Sequence, residues 1–276
     1  MLTYEHKLTK KLPITATEYA VKGTNGVDNF EGWFDWVNLA DNILSEVPDN
    51  GLIVEAGVYK GRFAAFVRES IIRNRPNSGI KQHLIDIFET KRWTDADGNP
   101  KSFGEFTELF FIVNRFHFVK PEGVELLNDV KFIQLPSHKA LRAYEPGEID
   151  WLYIDADHSE WGCYGDLATG VPAVKEGGVV CVHDYWHRGD IVGVTRACDL
   201  FAADNPHVEF NYHECAPLYG PNNYVFWFKV PEGAKFKVRD KADFEKAVKK
   251  FPAHDTTKPC PMFERQTTPI VTETIK

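Results

Sequence analysis

Ile53-Val54-Glu55-Ala56-Gly57-Val58-Tyr59-Lys60-Gly61-Arg62 is the stretch on which the fold turns. An apolar run ends in an acid, two glycines follow four residues apart, and Phe63, Phe66, Val67 and Ile71 then recur at helical spacing. A strand that passes through glycines into a helix brings backbone close to whatever occupies the turn. The helix N-terminus there favours an anionic group. An ordinary tight strand–helix turn accounts for the same glycines, so this segment alone leaves both readings open.

Outward from it, short apolar runs alternate with helical patterns. Strands are predicted at Leu52–Val58, His83–Phe88, Val130–Leu135, Ile149–Ile154, Gly178–Val182, Val208–His213 and Tyr224–Val230. Helical patterns precede the first strand (Phe30, Trp33, Phe34, Val37, Ile43, Leu44) and fall between the others. They are marked by Phe106, Leu109, Phe110 and Val113, by Tyr164, Leu167 and Val171, and by Val192, Thr195, Cys198 and Phe201. Pro172 must kink or end the pattern marked by Tyr164, Leu167 and Val171. Such alternation means an α/β fold with a mostly parallel sheet covered on both faces. About ten residues separate His213 from Tyr224, too few for a helical crossover, so the last two strands form an antiparallel hairpin.

The chain has 276 residues and a net charge of −8, with 43% hydrophobic and 26% charged residues, which excludes disorder, collagen and coiled coil. The acid excess argues against binding a phosphate backbone. Five scattered cysteines (Cys163, Cys181, Cys198, Cys215, Cys260) form no CxxC pair and no disulfide framework, which points to a reducing, cytoplasmic setting. No secretory leader and no apolar run of the roughly 18 residues of a membrane span is visible. Three parts are expected: an arm and lid helix over 1–48, a central α/β domain over 49–230, and a lysine-rich helix (Phe244, Val248, Phe251) with a Thr/Pro-rich tail over 231–276. The tail reads as disordered or as the contact of a homo-oligomer.

The second strand carries Asp86, about 25 residues past Gly61, where an acid can accept hydrogen bonds from both ribose hydroxyls of a nucleoside cofactor. The glycine pattern, Glu-x-Gly-x-x-x-Gly, lacks the middle glycine of pyrophosphate-binding loops. This combination resembles the class I S-adenosylmethionine-dependent methyltransferases. The resemblance implies a Rossmann-like, doubly wound, seven-stranded sheet with an antiparallel last strand. It places Glu55, Gly57 and Gly61 around the methionine part of the cofactor, Asp86 on the ribose and Ile87 on the adenine, with Tyr59 as a further cofactor-binding residue. Ser137, in Gln134-Leu135-Pro136-Ser137-His138, stands where such enzymes contact the adenine, and equally where a helix N-cap belongs.

The most specific stretch is Ile154-Asp155-Ala156-Asp157-His158-Ser159, followed by His183-Asp184-Tyr185-Trp186-His187. C-terminal ends of parallel strands line the ligand crevice, so Asp155, Asp157, His158, His183 and Asp184 can converge there. Capping and loop roles can absorb Asp157 or Ser159 but not the whole set. The stretch resembles, more narrowly, the branch of macrocin-type sugar O-methyltransferases, cephalosporin-hydroxylase-type proteins and domains with an Asp-Gly-Asp-His-Ser signature. That resemblance implies a divalent cation, usually Mg²⁺, on Asp155 and Asp184, and Asp157 as general base. His183, which completes the candidate ligand set, departs from the branch, which has an acid there. Imidazole suits Mn²⁺, Fe²⁺ or Zn²⁺ better than Mg²⁺, so either the metal differs, or His183 points away, or no metal is bound. His158 is the second candidate base. Trp33, Trp36, Trp161 and Trp186 are candidates for the wall of an acceptor pocket, although core packing explains any one of them better.

The expected activity is O-methylation of a small-molecule hydroxyl on a glycoside, phenol or natural-product intermediate, with neither nucleic acid nor membrane as partner. A NAD-dependent oxidoreductase is the rival enzyme, disfavoured by the glycine pattern and the reversed strand. A non-catalytic S-adenosylmethionine-binding protein is the rival from another class.

Overall fold

Strand β1 (Leu52–Ala56) is buried along its whole length, as a central strand covered on both faces must be. The computed structural model describes residues 34, 36–59, 61–87, 92–94, 100–102, 129–186, 192–215 and 223–251. In it β1 pairs in parallel with β2 (Lys81–Asp86) on one side and β6 (Ile149–Ile154) on the other. β5 (Val130–Gln134) continues the sheet beyond β2, and β7 (Val174–Tyr185) beyond β6, both in parallel. β9 (Tyr224–Lys229) then runs antiparallel to β7, and β8 (Asn211–Glu214) antiparallel to β9.

The strand order is β5-β2-β1-β6-β7-β9-β8, with six strands pointing one way and β9 the other. This is the seven-stranded, doubly wound sheet with an antiparallel last strand that the sequence led us to expect. A separate two-stranded ribbon, β3 (Arg92–Thr94) with β4 (Pro100–Ser102), was not anticipated. The direction of winding reverses at β1, and a crevice opens where the chain leaves β1 and β6 on either side of that switch.

Successive strand residues face opposite sides of a sheet. Val54, Leu152, Ile154, Val180, Val182 and Phe228 face one side. There they pack under α3 (Ser137–Leu141), α4 (Glu160–Gly170), α5 (Val192–Asp204) and α6 (Lys241–Val248). Ile53, Trp151, Tyr153, Val179, Cys181 and Val225 face the other side, under α1 (Val37–Glu46) and α2 (Arg62–Asn74). α1 joins that layer through Leu39, Ala40, Ile43 and Leu44, all buried.

Several boundaries differ from the sequence reading. α4 stops at Gly170 and Pro172 sits in a 3₁₀ turn, Val171–Ala173, because proline has no N–H to continue the helix. β7 starts four residues early, at Val174, although Gly177-Gly178 reads as a break. Gly177 takes a left-handed φ of 78°, and the pairing register shifts there. β8 begins at Asn211 rather than Val208, which is instead buried in the core. Trp36 and Trp186 are core residues, 1% and 3% exposed, so neither walls a pocket, whereas Trp161 is half-buried. Cys163, Cys181, Cys198 and Cys215 are buried and form no disulfide among the described residues. Among the described residues no helix is long and apolar enough to cross a membrane. Residues 1–33 of the expected arm and lid helix, the 106–113 helix, Phe88, His187, Cys260 and the tail from 252 lie outside the described residues, Trp33 among them.

Candidate active site

The loop after β1 is closed by Asp86. Its Oδ2 accepts hydrogen bonds from the backbone N–H groups of Val58 (2.8 Å) and Tyr59 (3.1 Å). Tyr59 has φ 49°, and Gly61, at φ 76°, precedes the first turn of α2. Gly57 has a stronger requirement. Its φ is 90°, and a Cβ there would stand 1.9 Å from the carbonyl oxygen of Asp155, so only glycine lets the β1 loop lie against the end of β6. Glu55 points into this crevice beside Tyr153 and Asp155, is 2% exposed, and has no hydrogen-bond partner for Oε2 among the described residues. Burial, reinforced by the charges of Asp155 and Asp86, raises its carboxyl well above the ordinary range.

Beyond Gly57, two carboxylates and two imidazoles alternate in a closed ring. His158 Nε2 lies 3.3 Å from Asp155 Oδ1 and 3.4 Å from Asp184 Oδ2. His183 Nδ1 lies 3.5 Å from Asp155 Oδ2 and 3.3 Å from Asp184 Oδ1. The tyrosine hydroxyl of Tyr153 donates to Asp155 Oδ2 at 3.0 Å from below. His183 forms the floor, with 2% of its side chain exposed, while His158 stands at the mouth with 38%. Enclosure would raise the carboxyl of Asp155, but His183 and His158 outweigh it and hold the group well below the usual range. Enclosure would likewise lower His158, and its hydrogen bond to Asp155 together with the charges of Asp155 and Asp184 raises it instead. Asp184 is held in a left-handed conformation (φ 58°), as is Trp186 (φ 63°), at the point where β7 leaves register with β9. Strain of this kind in non-glycine residues clusters at functional sites. One donor atom each from Asp155, His158 and Asp184 lie within 4.8 Å of one another, a spacing that one cation can span.

The structure thus brings together Asp155, His158, His183 and Asp184, but not Asp157. The Asp157 carboxylate accepts from Ser159 N (2.9 Å) and lies over the first turn of α4, where a Cβ on Gly162 would come within 2.3 Å of it. Ser159 caps that helix by accepting from Gly162 N. Ile87 is anchored through its carbonyl, which accepts from Gln134 Nε2 at 3.0 Å. Ser137 is not a cap. Pro136 holds that position, and the Ser137 hydroxyl instead donates to Asp166 Oδ2 at 2.8 Å. Sequence reasoning did not single out Tyr153, Asp166, Gly162 or Gly193. The last of these lets α5 approach the 158–160 backbone to 2.4 Å from a would-be Cβ.

A sheet of this order, reversed at its last strand and with acids at the ends of β1, β2 and β6, is the Rossmann-like fold of a methyltransferase. Residues 54–185, which run from β1 through the acid–histidine ring, match the family model described as a methyltransferase domain, and that domain supports S-adenosylmethionine-dependent methyl transfer as the activity of the chain. Its fold is shared with a putative O-methyltransferase from Klebsiella pneumoniae (12% identity, 78% of this chain and 97% of that one, TM-score 0.51). It is shared as well with cofactor-bound Rv0187 from MTB (12% identity, 82% and 94%, TM-score 0.50). The O-methyltransferase NovP is similar at 17% identity over 71% of this chain and 79% of that one, with a TM-score of 0.49. No curated protein matches the chain in sequence.

Proposed function

We propose that this methyltransferase acts on a hydroxyl of a small molecule, with a divalent cation seated at the acid–histidine ring. The ring carries the reading. A hydroxyl is a poor nucleophile until its proton leaves, and here carboxylates and imidazoles crowd the crevice beside the β1 loop. Bound S-adenosylmethionine supplies an electrophilic methyl group, so the chain's own residues have alignment and proton removal to provide. Glu55, Gly57, Tyr59 and Gly61 line the methionine end, Asp86 holds the ribose, and Ile87 and Ser137 meet the adenine. A cationic cofactor fits this crevice because Glu55 Oε2 is buried without a hydrogen-bond partner among the described residues and its carboxyl is raised by burial and by the neighbouring acids.

His158 Nε2 takes the hydroxyl proton, being the ring nitrogen at the mouth. Asp155 and Asp184 favour the charged form of His158; with those carboxylates engaged by a cation, that support would be lost and the ring would stand neutral, with Nε2 free to accept a proton. Asp155, Asp184 and His183 are the ligands, a mixed oxygen and nitrogen set that suits Mn²⁺ better than Mg²⁺. The closeness of the Asp155, His158 and Asp184 donor atoms favours a second reading, with His158 as the third ligand. Asp157, bonded to Ser159 N, supports the start of α4, and Asp157→Asn is expected to leave the rate within about threefold, since a helix-start bond contributes mainly to stability.

The test measures Mn²⁺ content by elemental analysis and cofactor binding by calorimetry in Asp155→Asn, Asp184→Asn, His158→Ala and His183→Ala. Loss of metal in the aspartate variants and in His183→Ala, but not in His158→Ala, supports the primary reading. Loss in His158→Ala supports the second. Unchanged metal content and cofactor binding in both aspartate variants overturns the cation site. Methyl transfer to any of a panel of diols, phenols and sugars, abolished by His158→Ala, separates the enzyme from a non-catalytic binder.

A further inference from the structure

A serine hydroxyl can donate or accept, and at the edge of a purine that choice decides which base is tolerated. Ser137 opens α3 just past the end of β5, where Leu135 N bonds Asp86 O (3.1 Å) and Gln134 Nε2 bonds Ile87 O (3.0 Å). It therefore stands beside the strand end that carries the nucleoside in the function proposed above, and it is half-buried. Its single hydroxyl proton is committed elsewhere, to Oδ2 of Asp166 at 2.8 Å. Asp166 comes from a different element, α4, and is completely buried; its Oδ1 has no hydrogen-bond partner among the described residues. An acid placed there is costly, and packing α3 against α4 does not call for one.

We propose that Asp166 is a positioning residue for base selectivity: by holding the Ser137 proton, it presents Ser137 Oγ to the crevice as a hydrogen-bond acceptor that matches the exocyclic amino group of a 6-aminopurine. An ionised carboxylate only accepts, so the serine has no second proton to turn outward. A 6-oxopurine would bring a carbonyl oxygen against that acceptor and leave both unpaired, which is where discrimination between otherwise identical ligands arises. Asp157 is the other charged group that acts on Asp166, and burial pushes the Asp166 carboxyl up to about 7. The inference rests on the cofactor site proposed above.

The experiment compares S-adenosylhomocysteine with S-inosylhomocysteine by calorimetry at pH 8, above the raised value of the Asp166 carboxyl. The native chain is expected to prefer the adenosyl ligand by at least about tenfold, the size of one lost buried hydrogen bond. Ser137→Ala, which removes the acceptor, and Asp166→Asn, whose amide can donate to Ser137 and free its proton, are expected to bring the ratio within about threefold. Ser137→Thr keeps the hydroxyl and the preference. Asp166→Ala gives the same readout as Asp166→Asn should that variant not fold. If Asp166 serves packing alone, its variants weaken both ligands alike and the ratio stands, which overturns the proposal. Failure of the native chain to bind S-adenosylhomocysteine at all is a different result and removes the cofactor reading beneath it.

Discussion

On the face of the sheet beneath α3 to α6, the strands stay apolar to their ends: Val54 leads to Ala56, Leu152 to Ile154, and Val180 to Val182. On the face beneath α1 and α2 the same strands begin apolar and turn polar, with Ile53 followed by Glu55, Trp151 and Tyr153 by Asp155, and Cys181 by His183. Because side chains alternate, a strand can hold its place in the core with one parity and carry chemistry with the other. Register keeps the polar set together, since Glu55 pairs beside Tyr153 and Tyr153 beside Cys181, one strand step before His183. The apolar face supplies stability and the polar end of the other face supplies the site, so substitutions on the two should fail in different ways.

Gly57→Ala should have the largest effect, because it strikes the joint between the β1 loop and β6. The new Cβ meets Asp155 backbone at 1.9 Å, and backbone, unlike a flexible side chain, has no room to yield. S-adenosylhomocysteine affinity is expected to fall by more than about 100-fold, roughly what displacing several hydrogen bonds at once removes. A variant with native affinity would show that the loop and the acid strand are not coupled. Next in size is Phe228→Ala on the apolar face. Phe228 is fully buried against Phe201, Phe210 and Phe236, and its truncation should cost about 3–5 kcal/mol by chemical denaturation. The protein that remains folded should bind cofactor as before, and a matching loss of affinity would break the division between the faces.

Glu55→Gln sharpens the comparison from the polar side. The Glu55 carboxyl is raised in the fold, so its contribution to stability is fully present below the unfolded carboxyl value and is lost as pH rises through the folded one. At neutral pH the amide should therefore be more stable than the native acid, by about 1–3 kcal/mol, and the gap should widen from acidic to neutral pH. Cofactor binding should weaken by about tenfold over the same range, one charge-assisted hydrogen bond's worth. A Glu55→Gln variant that is less stable than the native chain at pH 7.5 would mean that this acid has a partner holding it in the charged state.

The contrast between the faces also marks what was legible beforehand. The sheet and its reversed strand could be read because strand lengths and the short gap before Tyr224 leave few topologies. The convergence of Asp155, His158, His183 and Asp184 could be read because parallel strand ends open on one crevice. The reason for Gly57 was not legible, since the atom it avoids, Asp155 O, is 98 residues away along the chain. Nor was the separation of Asp157 from His158, which depends on Asp157 turning back to Ser159 N over a helix start that Gly162 leaves open. Tyr153 looks like one more apolar strand residue; only its i, i+2 relation to Asp155, which puts the two on one face, hints that its hydroxyl reaches the carboxylate. Asp166 carried a comparable hint, an acid three residues from buried Cys163 on the packed side of α4.

The smallest expected effect separates the two histidines within the polar face. His158 is raised by Asp155 and Asp184, so without cation its pairing stabilises the fold fully below about pH 6.5, the unfolded histidine value, and that stabilisation is lost as pH rises through the folded one. Because more than a third of its side chain is exposed, solvent screens the pairing, and the melting temperature of metal-free protein should fall by only about 1–2 °C across that window relative to His158→Gln. Added Mn²⁺ should erase the difference, since carboxylates engaged by the cation no longer favour the imidazolium. If the native and His158→Gln melting curves keep a constant offset from pH 6 to 9, His158 is not held charged by the acid pair, and its place as the proton acceptor at the mouth of the ring loses its electrostatic basis.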